Sequence, residues 1–130
     1  MDAFSKVKEY LLQMEYNILE EDREEELFMV ENEEAGIHKL LIDCEDPVLI
    51  VEYPLFKMKN PKKEILQELL AKNRDIIHGA FALTDEDTVI FRDTLQLENL
   101  DKNELEGTLE SLELLLAEYG TRLIEISKMN

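Results

Sequence analysis

The stretch VLIVEYPLF, residues 48–56, decides the fold, because it is apolar on both of the alternating faces that a strand presents. Such a strand either has both faces covered or has one face that waits for a partner. Pro54 lacks the backbone donor that a central strand needs, which predicts a bulge or an unpaired edge at this position. We therefore predict a strand from Val48 to Met58 that belongs to a larger sheet.

The segments upstream predict a helix followed by two more strands. From Asp2 to about Asn17, apolar residues recur at spacings of three and four, which is typical of one helix face: Phe4, Val7, Leu11, Met14 and Ile18. The charged run DREEE, residues 22–26, is predicted to be a solvated loop or strand entry. Leu27–Glu31 and Ile37–Cys44 are apolar and joined by short breaks, which predicts sequential antiparallel strands.

Downstream, the pattern predicts a helix, two strands and a final helix. Asn60-Pro61 is a strong helix start, and this helix should end around Asn73. Ile76–Leu83 and Thr88–Leu97 are predicted to be strands joined by a polar turn. Gly79 within the first of them indicates a bulge or a close approach between neighbours.

The last helix has the clearest local signals. Asp101 and Glu104 have the spacing of a capping box. Apolar residues then alternate four and three apart in a continuous seam, which we expect to pack on the sheet: Leu105, Leu109, Leu112, Leu116, Tyr119, Leu123 and Ile126. The order α-β-β-β-α-β-β-α predicts a single α+β domain, residues 1–130, with one antiparallel sheet of about five strands.

The charge of the chain limits the classes of partner that it can bind. The net charge is −17, which disfavours phosphate backbones and anionic membranes, so we predict binding to neither nucleic acid nor membrane. Residues 47–80 reverse the balance with six bases and four acids, and this strip could steer a partner's orientation. Cys44 is the only cysteine, which fits a reducing cytoplasm, and no stretch has the form of a secretory signal or a membrane span.

No motif in the sequence predicts catalysis. There are only two histidines, His38 and His78, both in predicted strands, where packing or hydrogen bonding is the more common role. The chain has no G-x-S-x-G motif, no phosphate-binding glycine loop and no calcium loop. We therefore predict that the protein is not an enzyme and needs no cofactor or metal. Tyr53, Leu55, Phe56 and Met58 suit an adaptable protein contact, although ordinary core packing explains them equally well.

The second half of the chain carries a family resemblance. Residues 68–120, ELLAKNRDIIHGAFALTDEDTVIFRDTLQLENLDKNELEGTLESLELLLAEYG, resemble the type III secretion chaperone-like superfamily, including its YbjN-type branch of bacterial sensory-transduction regulators. The pattern is a helix ending at Asn73, a strand with Gly79-Ala80-Phe81, an acidic turn, an apolar strand and a capped amphipathic helix. The first half agrees with the family in topology.

The resemblance implies a small acidic homodimer that holds an extended segment of a client polypeptide, with a regulatory role in the YbjN-type branch. Within this scheme, the candidates for client or dimer contact form two sets: Val51, Tyr53, Leu55, Phe56 and Met58, and then Leu83, Val89, Phe91 and Leu95. The alternative is an acidic stoichiometric inhibitor or immunity-type protein that covers the basic active site of a nuclease or toxin.

Overall fold

The computed structural model describes residues 1–130 and contains three α-helices and six β-strands. In chain order these are α1 (Ala3–Gln13), β1 (Asn17–Asp22), β2 (Leu27–Asn32), β3 (Ile37–Glu45), β4 (Val48–Lys57), α2 (Lys63–Lys72), β5 (Ala80–Leu83), β6 (Thr88–Gln96) and α3 (Lys102–Met129). Short 3-10 turns at Glu33–Ala35 and Asn73–Asp75 precede β3 and β5. The α+β class is therefore confirmed.

The strands form one antiparallel sheet in the order β1-β2-β3-β4-β6-β5. The sheet has one strand more than the predicted five, because residues 17–22 form an edge strand that pairs with β2. This strand, NILEED, is mostly exposed and polar, so it lacks the apolar pattern by which the others were recognised. Its presence means that α1 ends at Gln13 and that Ile18 belongs to β1, not to the helix.

Two other boundaries differ from the prediction. The helix after β4 begins at Lys63 with Lys62 at its N-cap, so Asn60 does not cap it. The backbone amides of Lys59 and Asn60 donate to Oδ1 of Asn130, each at 3.0 Å, which holds this segment outside the helix. β5 begins only at Ala80. Gly79 precedes it with φ +82°, and a Cβ there would lie 2.5 Å from the Phe91 ring, so the predicted close approach is confirmed.

The three helices cover one face of the sheet and form a continuous core with it. The rings of Phe4 in α1 and Phe28 in β2 stack with their centroids 4.3 Å apart, and Leu49 and Phe91 are fully buried. α3 begins with the predicted capping box, in which Asp101 and Glu104 exchange hydrogen bonds. Most of its seam is buried against this core, as predicted.

The two halves of β4 are paired differently. Val48–Glu52 lies between β3 and β6, whereas Tyr53–Lys57 pairs with β6 alone. β3 leaves β4 beyond Leu41, close to Lys39, whose φ of +52° is in the left-handed region. The second half of β4 therefore has one free edge inside the sheet.

The predicted irregularity at Pro54 is present as a β-bulge. The register with β6 shifts between Pro54 and Phe56, so that Leu55 is the additional residue. In a regular strand Phe56 would point to the face opposite Tyr53. The bulge reverses this alternation, because Phe56 is paired with Val89, which shares the helix-covered face with Phe91. Tyr53 and Phe56 consequently lie on the same side of the sheet.

Candidate protein-binding groove

A groove lies between the second half of β4, the turn Glu33–Gly36 and the outer side of α3. It has a volume of about 820 Å³, and half of its 16 lining residues are hydrophobic. We call it the α3–β4 groove. Its position follows from the backbone, since β3 has left β4 at this point and α3 passes over the gap.

Tyr53 closes the inner end of the gap between the diverging strands. Its hydroxyl accepts a hydrogen bond from the backbone amide of His38 at 3.0 Å and donates to the carbonyl of Gly36 at 3.3 Å. These two bonds satisfy backbone groups that no strand partner reaches. Beyond Tyr53, Leu55 and Phe56 are only half-buried and line the open part of the groove.

α3 forms the other wall of the groove with Leu116, Gly120 and Ile124. The side chain of Ile124 is 58% exposed, although it is large and apolar. A Cβ built on Gly120 would meet no atom within 4 Å, so the glycine leaves open space in the groove. The sequence did not predict these residues as a binding surface, although Gly120, an unfavourable residue inside a helix, is a signal that could have drawn attention to this side of α3.

One end of the groove is acidic. Glu33 and Glu34 are exposed there, and Glu113 accepts a 2.8 Å hydrogen bond from the hydroxyl of Tyr16. Burial, and then the neighbouring Glu113 carboxylate, raise the pKa of Tyr16 far above its ordinary value, so the phenol remains a proton donor. The carboxylate of Glu113 is thus fixed in orientation at the edge of the groove.

A second polar contact fixes α2 against α3. Arg122 binds Glu68 through two N–H···O bonds, from Nε to Oε2 at 2.9 Å and from Nη2 to Oε1 at 2.8 Å, and the Tyr119 hydroxyl also donates to Glu68. These hydrogen bonds, that of Arg122 first, lower the pKa of Glu68 to about 2. Burial, followed by the Glu68 carboxylate, raises the pKa of Tyr119 to about 12. Glu68 thus links α2 to Tyr119 and Arg122 of α3, the helix that forms one wall of the groove.

A smaller apolar surface lies at the β5 edge of the sheet. Leu66 and Leu70 of α2 are 41% and 73% exposed, and Leu83 of β5 is 49% exposed. Together with Phe81 and Val89 they line a concavity of about 240 Å³ beside the edge strand β5. We call it the α2–β5 patch.

The structure divides the predicted contact residues among three places. The groove contains Tyr53, Leu55 and Phe56, and the α2–β5 patch contains Leu83 and Val89. The other four belong to the core or pack against it: Val51, Met58 and Phe91 are buried, and Leu95 is half-buried. In the folded chain, direct access to a partner is therefore open mainly to Leu55, Phe56 and Leu83.

The remaining chemically distinctive side chains do not converge. His38 and His78 are exposed in separate parts of the chain, and no three His, Cys, Asp or Glu side chains are placed to bind a metal ion. Cys44 is buried, and its burial raises the pKa of the thiol to about 12. The apolar and charged side chains on the helix-covered side are suited to contact with a polypeptide.

The CesT_Tir_1 family model matches residues 1–129. The chain belongs to this family. It is the family of type III secretion chaperones, so the resemblance seen in the sequence is confirmed. Membership of this family supports a chaperone-like protein-binding role.

Solved structures share the fold at low sequence identity. The ExsC–ExsE complex matches with a TM-score of 0.65 and 22% identity, covering 95% of this chain and 96% of that chain. The Yersinia pestis type III secretion chaperone SycH, solved with a fragment of YscM2, gives 0.61 and 16%, covering 85% and 93%. YbjN from E. coli gives 0.64 and 11%, with 91% of each chain covered.

The search of curated proteins returned no match. None of the three helices combines the length and the apolar content that a membrane span requires.

Proposed function

We propose that the protein is a non-enzymatic chaperone-like module that binds an extended segment of a partner polypeptide in the α3–β4 groove. The observation that carries this proposal is the free edge of β4 at Tyr53–Lys57, which borders an apolar groove. We expect the protein to act in the cytoplasm, in keeping with its single free thiol, and to serve either export or regulation of its partner.

The free edge supplies the main-chain part of such an interaction. Successive residues of a strand direct their N–H and C=O groups alternately to one side and to the other. A strand that is paired on one side therefore leaves half of these groups free to bind another chain. An extended segment beside Tyr53–Lys57 would form these hydrogen bonds, as in other cases of strand addition. Pro54 has no amide to contribute, so the contact is expected to centre on Leu55, Phe56 and Lys57.

Apolar side chains of the segment would supply the rest of the affinity. Leu55, Phe56 and Ile124 are partly exposed, and covering the exposed part of each contributes about 1 kcal/mol. Three such contacts would add to the main-chain hydrogen bonds, and both contributions are offset by the cost of ordering the segment. The large negative charge would keep a protein with exposed apolar groups soluble.

The comparisons support a polypeptide as the ligand, since ExsC and SycH were each solved in complex with a second protein. The chemistry of the ligand follows from the groove: an extended segment with apolar side chains.

The test is to fill the groove without disturbing the fold. Gly120→Trp places an indole in the groove where a Cβ meets no neighbour, and Gly120→Ala is the matched control that leaves the groove open. Short peptides selected from a random library on the wild-type protein are measured by fluorescence anisotropy. We expect Gly120→Trp to weaken binding by about tenfold or more and Gly120→Ala to leave it unchanged. Equal binding to all three proteins would overturn the groove as the site.

The homodimer is a further part of this proposal, and the α2–β5 patch is the surface that we assign to it. Two copies of a chain with net charge −17 repel each other, so their contact must be apolar and locally close to neutral. Apart from Val89, the patch lies within residues 62–83, which carry four bases and three acids. Exposed Leu66, Leu70 and Leu83 beside the edge strand β5 satisfy both requirements.

The dimer is tested by light scattering coupled to size exclusion. We expect twice the 15.2 kDa chain mass for the wild type and the chain mass itself for Leu70→Glu. Leu12→Glu, a similarly exposed leucine on α1, is the control and should remain dimeric. A monomeric wild type would exclude the dimer and would leave the groove unaffected.

The acidic-inhibitor alternative is favoured by one observation on the uncovered sheet face. There Asp43 has a buried, unpartnered Oδ1, and burial, followed by neighbouring Glu45, Glu52 and Glu25, raises its pKa. This concentration of negative charge would suit a basic partner. Binding through that face should weaken steeply as salt rises, whereas binding through the apolar groove should change much less.

A further inference from the structure

The two ends of the α3–β4 groove are bordered by opposite charges, and none of these charged side chains forms a salt bridge within the chain. At the acidic end, Glu33, Glu34 and Glu113 line the groove, and Glu15 and Glu31 lie beside them in an adjoining polar pocket. None of these five carboxylates forms a salt bridge. Their negative charge is therefore available to attract a ligand at this end of the groove.

The other end is bordered by the basic segment KMKNPKK, residues 57–63, which contains four lysines and no acid. All four lysines are exposed and none forms a salt bridge with a carboxylate: Lys57, Lys59, Lys62 and Lys63. This segment lies within residues 47–80, the strip in which bases outnumber acids.

The end of α3 fixes the basic segment in position. The side chain of Asn130 accepts from the amides of Lys59 and Asn60 and donates to the carbonyl of Lys57 at 2.6 Å. Nζ of Lys62 donates to the carbonyl of Met129 at 3.0 Å. The lysines are thus held next to the last groove residues of α3, Ile124 and Ser127.

The distance between the ends suits one extended segment. Along α3 the groove runs from Glu113 to Ser127, which is about 21 Å at the rise of a helix. About six extended residues span the same length. This separation exceeds the screening length of about 8 Å at physiological salt, so each end interacts with its own part of the segment.

We propose that the groove selects a charge-polarised segment, with basic residues over Glu33 and Glu34, apolar residues over Leu55 and Phe56, and acidic residues over the lysines. The inference rests on the proposed function of the groove and adds the chemistry and the orientation of its ligand. In the reverse orientation both ends would face like charges. Each exposed ion pair is weak, but two ion pairs at each end together favour this orientation over the reverse one by about tenfold.

The test uses two synthetic peptides of identical composition with the same apolar centre. One has two lysines at its N-terminus and two glutamates at its C-terminus, and the other has them exchanged. Both carry a nitroxide spin label at the N-terminus, and paramagnetic broadening of the protein's amide resonances reports where the label lies. We expect the first peptide to broaden Glu33–Gly36 and the second to broaden Lys57–Asn60.

Charge-changed proteins provide the controls. Glu33→Lys with Glu34→Lys should abolish the difference between the peptides. Glu24→Lys with Glu25→Lys makes the same change of net charge in the exposed turn between β1 and β2, at the opposite end of β2 from Glu33 and Glu34, and should preserve the difference. A label that broadens the same end with both peptides, or both ends equally, would overturn the polarity and leave groove binding intact. Failure of both peptides to bind, or undiminished binding to Gly120→Trp, would overturn the proposed function itself.

Discussion

The two halves of β4 differ in structure, although both are rich in apolar residues. In Val48–Glu52 the backbone pairs with β3 and β6, and Leu49 and Val51 are fully buried. In Tyr53–Lys57 it pairs with β6 alone, and Leu55 and Phe56 remain half-buried. The difference arises from the departure of β3 and from the bulge at Leu55. The apolar content of a single strand can thus serve the core in one half and an open surface in the other.

The largest expected effect is the difference in stability loss between substitutions in the two halves of β4. Leu49→Ala removes a fully buried side chain and should lower the free energy of unfolding by about 3 kcal/mol. Leu55→Ala is the matched change in the second half and should cost less than about 1 kcal/mol, because solvent already reaches Leu55. Urea unfolding measures both variants. Equal losses would mean that the second half is core as well.

A smaller effect is expected at the boundary between the halves. Tyr53→Phe removes the hydroxyl that satisfies the Gly36 carbonyl and the His38 amide. We expect a loss of about 1 kcal/mol in urea unfolding, since two backbone groups lose their partner. Tyr10→Phe is the control, because the Tyr10 hydroxyl makes only one long contact, 3.5 Å to Leu100. If Tyr53→Phe is as stable as the wild type, the hydroxyl does not close the gap.

The smallest expected effect concerns the support behind the groove. The folded-state pKa of Glu68, about 2, lies below its ordinary value of 4.5, so the ionised carboxylate stabilises the fold above about pH 4.5 and this contribution is lost as the pH falls towards 2. Glu68→Gln should therefore cost somewhat under about 1 kcal/mol at pH 7, given the partial exposure of the pair, and nothing near pH 2.

Thermal unfolding at several pH values measures this difference. Glu125→Gln is the control, since Glu125 contacts Arg122 only at 3.7 Å and is more exposed. A loss of stability in Glu68→Gln that does not depend on pH would exclude the ionised carboxylate as its cause.

Most of the fold could be predicted from the sequence, because periodicity and caps are local signals. The capping box at Asp101, the seam of α3 and the irregularity at Pro54 are all present. β1 could not be predicted, since an exposed edge strand lacks an apolar face. The start of α2 was misplaced because Asn130, far away in sequence, binds the amides near Asn60.

The site could be predicted only in part. Leu55 and Phe56 were candidates because they follow a proline in an apolar strand, and both line the groove. Ile124 and Gly120 were not, since the helix seam gives no information about its outer side. Tyr53 and Phe56 lie on the same side of the sheet because of the bulge and the pairing of Phe56 with Val89. The alternation of side chains along a single strand does not predict either feature.

Amide hydrogen exchange tests the central claim most directly. The exchange of the free protein is compared with that of the complex with a peptide selected on it. We predict new protection in residues 53–57 and along α3 at 116–124, with no change in residues 48–52, which are already paired on both sides. Protection confined to β1 or to the α2–β5 patch, with residues 53–57 unchanged, would contradict the account.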